Sequence, residues 1–343
     1  MTRLNNCVSH TQKIENIKWK DHNCIRFMSG GYEAVIVPKV GANIIQLKYN
    51  PKGVDLLRTP KEDVSFEEFR GLPQVYGLPV LFPPNRIEDG TFKFENRIYK
   101  FPINEPDKNN YIHGFIKSDR WNVVRKEILQ NKVVITAEFD FTKSHKYYKY
   151  FPHEYSFIIE YKLSEYGLEQ TTSITNLSDE NIPICVGYHT AFNIPFKKDS
   201  SKDDYRLIAS VNKKWRLNER SLPTGESCNL NSVESHYLSD GIKPLEQPVD
   251  DIYSLENSNI DGKNFRGAII ENVKEKIRVV YEMGEEYKYM MLWNDMGDKG
   301  YACIEPQSCI INAPNVKLDN SVSGFKSLKP KESWKASCEI KVF

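Results

Sequence analysis

Three short segments, Tyr111-Ile-His-Gly-Phe115, Gly187-Tyr-His-Thr-Ala-Phe-Asn193 and Cys303-Ile-Glu-Pro-Gln-Ser308, each set one titratable side chain among apolar or backbone-constraining neighbours. An imidazole titrates near neutrality and can hold and donate a proton, while a carboxylate can take one up. His113, His189 and Glu305 are therefore candidates for one acid–base pocket, although 76 and then 116 positions separate them. Each also has an ordinary reading. His189 follows a buried-looking stretch from Ile182, and a histidine there is more often a satisfied core residue. Glu305 precedes Pro306, a residue that commonly marks a strand end or edge, and glutamates are mostly solvated. His113 beside Gly114 reads as a turn histidine.

Two further groups offer hydrogen bonds rather than proton transfer. Arg86, in Phe82-Pro-Pro-Asn-Arg-Ile87, would be a solvated arginine in most chains, but its planar guanidinium presents fixed donors suited to vicinal hydroxyls. Val249-Asp-Asp-Ile-Tyr253 offers Asp250 or Asp251 as an acceptor, against the equally good reading of a turn-forming acidic pair.

These residues need a scaffold that gathers distant segments. Period-two alternation puts Tyr155, Phe157, Ile159, Tyr161 and Leu163 on one face of a strand. Comparable β-branched and aromatic runs occur at Tyr32 to Val37, Asn43 to Tyr49, Val133 to Phe141, Leu168 to Thr175, Ile277 to Tyr281 and Tyr287 to Trp293. Gly30-Gly31, Asn50-Pro-Lys-Gly53, Asp89-Gly90, Asn104-Glu-Pro-Asp107 and Asp261-Gly262 supply reversals between strands. Only Lys61 to Arg70 reads as helix. No linker, low-complexity tract or repeat divides the chain, so residues 1–343 read as a single all-β domain in which many antiparallel strands need two packed sheets.

Composition narrows the partners. With 47 Lys and Arg against 46 Asp and Glu, the formal net charge of +1 gives no dominant field for nucleic acid or an acidic membrane, and a small polar molecule is the better default. Seven cysteines without Cys-x-x-Cys spacing fit free thiols in a reducing compartment. The N-terminus has no apolar core of signal-peptide length and no segment offers the ~20 apolar residues of a membrane span, so the expected location is the cytoplasm. No His-Glu-x-x-His, clustered Cys/His, Gly-x-Ser-x-Gly, phosphate loop or dinucleotide fingerprint appears, and the stretch between His145 and His153 reads as a surface strand or loop.

Together with Pro79-Val-Leu-Phe-Pro-Pro-Asn-Arg-Ile87 and Asn312-Ala-Pro314, the three segments resemble, in the same order from about Gly30 to Ala313, the aldose 1-epimerase family, the mutarotases that interconvert the anomers of free sugars. The resemblance implies the large twisted antiparallel β-sandwich of the galactose mutarotase-like fold. It implies Glu305 as catalytic base, His189 as acid, His113 near the sugar ring oxygen, and Arg86 and Asp250 as hydroxyl ligands. Thr190 and Ala191 depart from the Pro and aromatic often found after the acid. Trp121 follows His113 at the expected spacing. The implied partner is a free aldose, a hexose by preference, bound by a monomer or homodimer, and ring opening needs no cofactor.

Rival readings are a non-catalytic sugar-binding or sensor protein of the same fold, and a glycoside hydrolase pairing Glu305 with Asp250 at ~5–10 Å. A histidine opposite Glu305 would distinguish the epimerase from the hydrolase. Mutarotation of a sugar phosphate would need a basic cluster at the pocket rim, which the sequence does not locate.

Overall fold

The computed structural model describes residues 11–343. Its frame is two large antiparallel sheets. The first runs, in spatial order, through Asn122–Leu129, Lys132–Phe141, Tyr155–Ser164, Gly167–Asn176, Ser333–Val342, Ile277–Met283, Gly267–Asn272 and Tyr205–Ala209. The second runs through Pro223–Asn229, Val211–Leu217, Asp250–Leu255, Tyr289–Trp293, Tyr301–Gln307, Gly187–Tyr188 and Val80–Leu81, with Thr190–Asn193 also pairing to Tyr301–Gln307. A five-stranded sheet from Lys13–Trp19 to Val54–Asp55 adds to this frame.

The predicted alternation becomes the interior. Tyr155, Phe157, Ile159, Tyr161 and Leu163 are all buried, while Ser156, Ile158, Glu160 and Lys162 between them are half-buried. They join one apolar cluster with Tyr188, Phe192, Met290, Leu292 and Ile304 of the second sheet. Between the sheets the Phe192 and Tyr281 rings meet edge to face at 5.6 Å, Thr190 Oγ1 lies 3.1 Å from the Tyr281 hydroxyl, and Thr172 bonds the Tyr188 hydroxyl. These buried hydroxyls are thus partnered across the core, whereas those of Tyr111 and Tyr155 have no partner among the described residues.

Three local expectations change. The helix expected over Lys61 to Arg70 starts only at Phe66 and ends at Gly71. Ser65 sets its start: its hydroxyl accepts from the Glu68 N–H, and Glu68 reaches back to the Ser65 N–H, a complete capping box. His153 is buried, against Tyr99, whose hydroxyl is 2.7 Å from its Nε2, and the stretch before it is a loop as read, with Lys146 and Lys149 exposed but Tyr147, Tyr148 and Tyr150 packed partly buried against the core. Pro306 lies in a central strand rather than at an edge, one residue before that strand ends, as the strand-end reading had it.

The six described cysteines are free thiols. Cys7 and the N-terminal residues read for a signal peptide lie outside the described residues. Among the described residues no helix is long and apolar enough to cross a membrane.

Candidate active site

Strand register builds the centre of the site. Gly187 pairs with Gln307 and Thr190 with Ile304, which sets His189, in the break between Gly187–Tyr188 and Thr190–Asn193, opposite Glu305. On the other side Met291 pairs with Glu305, Trp293 with Cys303 and Asp250 with Trp293. Since side chains alternate across a strand, Glu305, Met291, Trp293 and Asp250 share one face, and Asp251 points to the other. Gly187 is required by space: a Cβ there would stand 2.9 Å from Pro84 Cβ and 3.1 Å from the Pro306 carbonyl oxygen.

A second construction delivers His113 and Arg86. The short strand Asn110–Ile112 pairs with Arg86–Glu88, Ile112 opposite Arg86. Beyond it His113 and Gly114 both take left-handed conformations, with φ of 64° and 63°, and the His113 N–H donates to the Asn85 carbonyl at 2.9 Å. Any Cβ on Gly114 would lie 2.1 Å from the Phe82 carbonyl oxygen, so this close turn requires glycine. The loop after Glu305 locks the same strand, because Asn312 donates its N–H to the Arg86 carbonyl at 2.9 Å and accepts the Glu88 N–H at 3.1 Å.

At the centre His189 Nε2 is 3.1 Å from Glu305 Oε1. The His189 ring meets His113 at 5.2 Å and Trp293 at 5.5 Å between centroids, both edge to face. The pair is nearly sealed, His189 being 4% and Glu305 1% exposed, whereas His113 and Trp293 are half-buried and Asp250 is exposed. The predicted residues therefore gather at a narrow recess with open flanks rather than in a broad open cleft. Buried Nδ1 atoms of both His189 and His113 have no protein partner, leaving two ring nitrogens for a ligand.

Burial dominates the electrostatics. It pushes the Glu305 carboxyl well above its usual range, the Asp250 charge adding and the Arg86 charge opposing. Burial lowers His189 to about 3, with the Lys117 and Arg86 charges adding, and pushes His113 well below its usual value. The empty pair thus favours a protonated Glu305 beside a neutral His189. Moving that one proton to the imidazole gives carboxylate and imidazolium at the same total charge.

Arg86 is 9% exposed and held by Glu105, whose two carboxylate oxygens accept from Nε at 3.1 and 3.0 Å. Burial alone would raise the Glu105 carboxyl, but bonds from Arg86 and Asn110 outweigh it and hold it below the usual range. Asn85 takes a long 3.4 Å bond from Nη1, so Nη2 is left without a partner among the described residues. Asp250 has an exposed surface, yet the surrounding protein raises its carboxyl, with Arg86 and Lys108 pulling it down. Asp251 is engaged elsewhere: Lys214 Nζ donates to it at 2.7 Å and to Glu234 at 3.0 Å. Of the two aspartates only Asp250 faces Glu305.

Sequence reasoning missed several contributors. Glu105 was seen only as part of a turn and Trp293 only as the end of a strand. Gln307, whose amide donates to Glu305 Oε2 at 3.4 Å, is the residue two positions along the same strand face. Among the described residues no cluster of three or more His, Cys, Asp or Glu side chains is arranged to hold a metal.

The chain is similar along nearly its whole length to proteins of known structure. A galactose mutarotase-like protein from Clostridium acetobutylicum is 54% identical, superposes with a TM-score of 0.95, and the match covers 97% of this chain and 98% of that one. Galactose 1-epimerase from Lactobacillus acidophilus NCFM shares the fold at a TM-score of 0.71 with 15% identity, covering 98% and 99% of the two chains. Among curated proteins, the uncharacterized protein YihR of Escherichia coli is 26% identical over 58% of this chain and 59% of its own length. A probable aldose 1-epimerase of Arthroderma benhamiae is 28% identical over 43% of this chain and 35% of its own length. The family model described as aldose 1-epimerase matches residues 23–341, and the chain belongs to that family.

Proposed function

We propose that the protein is an aldose 1-epimerase that interconverts the α and β anomers of a free aldose by opening and reclosing the sugar ring. Opening removes the proton of the anomeric hydroxyl O1 and protonates the ring oxygen O5. The C1–O5 bond breaks, C1 becomes an aldehyde, and rotation before closure gives the other anomer. O1 and O5 are bonded to the same carbon and lie closer together than a hydrogen bond is long, so acid and base must be near neighbours. The observation that carries the proposal is the 3.1 Å approach of His189 to Glu305, both nearly sealed from solvent, with the Arg86 charge acting on both.

In this reading Glu305 takes the O1 proton and His189 gives one to O5, the roles exchanging on closure. His113 lies on the ring-oxygen side. Arg86, fixed by Glu105, donates from its free end to a sugar hydroxyl, and Asp250 accepts from another. Trp293 offers an apolar ring edge to the C–H face of the sugar. General acid and base contributions of ~10²–10⁴-fold each suffice, since the reaction already proceeds in water. A histidine, rather than a second carboxylate, directly opposite Glu305 speaks for ring opening over glycoside hydrolysis.

The test is two-dimensional NMR exchange between anomers, with polarimetry, across a panel of freshly dissolved aldoses. Acceleration of at least one aldose that disappears in Glu305→Gln supports the proposal. Binding of aldoses without any acceleration would make the protein a sugar-binding relative instead.

A further inference from the structure

The loop that starts at His113 continues to Arg120 and Trp121, strapped to the turn after Val37 by two bonds: the Gly41 N–H donates to the Asp119 carbonyl and the Trp121 N–H to the Pro38 carbonyl, both at 2.8 Å. There it forms one wall of a second depression, with a volume of about 740 Å³, whose other wall is the hairpin of Lys13–Trp19 and His22–Ser29. Four cations line it, Lys18, Lys39, Arg120 and Lys126, together with His22 and a single acid, Asp21.

The charge in this groove is unbalanced. Some surface cations elsewhere on the molecule are neutralised, as Lys162 is by Glu160 and Glu169, or Arg278 by Glu271 and Asp261. Among the described residues none of the four groove cations lies in an ion pair. Lys126 Nζ donates instead to Asn16 Oδ1 at 2.9 Å, and Lys39 Nζ approaches His22 Nδ1 at 3.2 Å. Residues 1–10 contain no Asp or Glu that could supply a missing partner. The His22 ring rests on Phe66 at 3.5 Å between centroids, which sets it beside Lys39 rather than leaving it to swing away. Side chains that crowd like charge without a counter-ion are arranged for an anion that supplies it.

We propose that this groove binds a small multivalent anion, a di- or triphosphate, free or carried on an organic group. A concave site of several hundred cubic ångströms suits a small molecule. Pro38 and Val123 add apolar surface to the lining, and Asn23 and Asn122 add side-chain amides, so an organic phosphate could seat both of its parts. The whole chain carries a net charge of only +1, which gives no general attraction for a nucleic acid backbone.

The test uses isothermal titration of the full chain at low ionic strength with sodium pyrophosphate and, separately, with ATP. Expected is saturable binding of both that weakens steeply as salt is added. Affinity should fall at least tenfold in Lys39→Glu/Lys126→Glu and hold in Lys263→Glu/Lys274→Glu, which makes the same charge change on exposed residues far away in the chain. Equal affinity for the two probes would make the phosphate chain the recognised part, and tighter binding of ATP would add its nucleoside; either supports the proposal. Glu305→Gln should bind both as the wild type does, and a free aldose should not displace them. Absence of binding at millimolar probe, binding that survives the Lys39/Lys126 double change, or displacement by substoichiometric duplex RNA would overturn it.

Discussion

Replacing Glu305 by glutamine isolates proton transfer from shape. The carboxylate is 1% exposed, lies 3.1 Å from His189 and accepts from Gln307 at 3.4 Å, so an isosteric amide fills the same space. Burial already holds Glu305 towards its neutral form, and a neutral amide removes no established ion pair. Folding should therefore survive. Because the folded carboxyl titrates above its unfolded value, wild-type stability contributed by this group is complete below the ordinary carboxylate range and is lost as pH rises towards the raised folded value. Glutamine removes that loss, so the variant's melting temperature relative to wild type should increase from pH 4 to pH 8. Turnover should fall by ~10²–10⁴-fold, the usual worth of a positioned base, or about 3–5 kcal/mol of barrier. Anomer exchange by NMR measures the rate, calorimetric titration the sugar affinity, and scanning calorimetry the fold. A folded variant that still binds sugar and turns over within about threefold of wild type, far inside the span expected of a base, would refute the assignment of Glu305.

The pH profile of kcat/KM should be a broad bell, because the one-proton state of the pair lasts from the depressed His189 value of about 3 up to the raised Glu305 value; a narrow bell centred on an ordinary histidine pKa would contradict the buried pair. His189→Gln should reduce the rate and also lessen acid sensitivity. The wild-type imidazole favours folding fully above its unfolded pKa near 6.5 and loses that contribution, at up to about 1.4 kcal/mol per pH unit, as pH falls towards 3, as urea titrations at pH 4 and 7 would register. Arg86→Lys should weaken sugar binding by ~0.5–1.5 kcal/mol through loss of the forked donor, seen as a raised KM; a collapsed kcat at unchanged KM would place Arg86 at the transition state instead. Asp250→Asn should raise KM with little change in stability, whereas Asp251→Asn, cut from Lys214, should leave KM alone; the opposite pattern would exchange the two aspartates.

How much of this was legible in the sequence depends on what each residue's neighbours are. Strands with one buried face advertise themselves, and Tyr155–Ser164 was read almost to its last residue because its alternation is a direct image of the core. Tyr301–Gln307 is buried on both faces, so no period marks it, and Pro306 marked its end, one residue before Gln307, but not an edge. The helix read over 61–70 begins only at Phe66, where the capping pair Ser65 and Glu68, a signal present in the sequence, sets its start.

The site divides along the same line. Residue types and family-like segments named His113, His189, Glu305, Arg86 and Asp250, but the contact that makes them a chemical unit is a matter of register. His189 meets Glu305 because the pairs on either side of it, Gly187 with Gln307 and Thr190 with Ile304, keep one alignment. The same register orders Asp250 and Asp251, which the resemblance ranked but residue type alone left equal, since a shift of one residue would exchange their faces. Glu105 was invisible for another reason: its work is to hold Arg86, through a ladder whose partner strand is only three residues long. Gly114 makes that dependence testable. Gly114→Ala would have to hold a positive φ of 63° and clear a Cβ that lies 2.1 Å from the Phe82 carbonyl oxygen, so the turn must open. An ordinary left-handed penalty is about 1 kcal/mol, and the clash adds to it. The variant should melt lower and, where still folded at 10 °C, turn over more slowly because His113 and Arg86 move together. Normal turnover in a folded Gly114→Ala protein would mean that the turn carrying His113 does not position the chemistry.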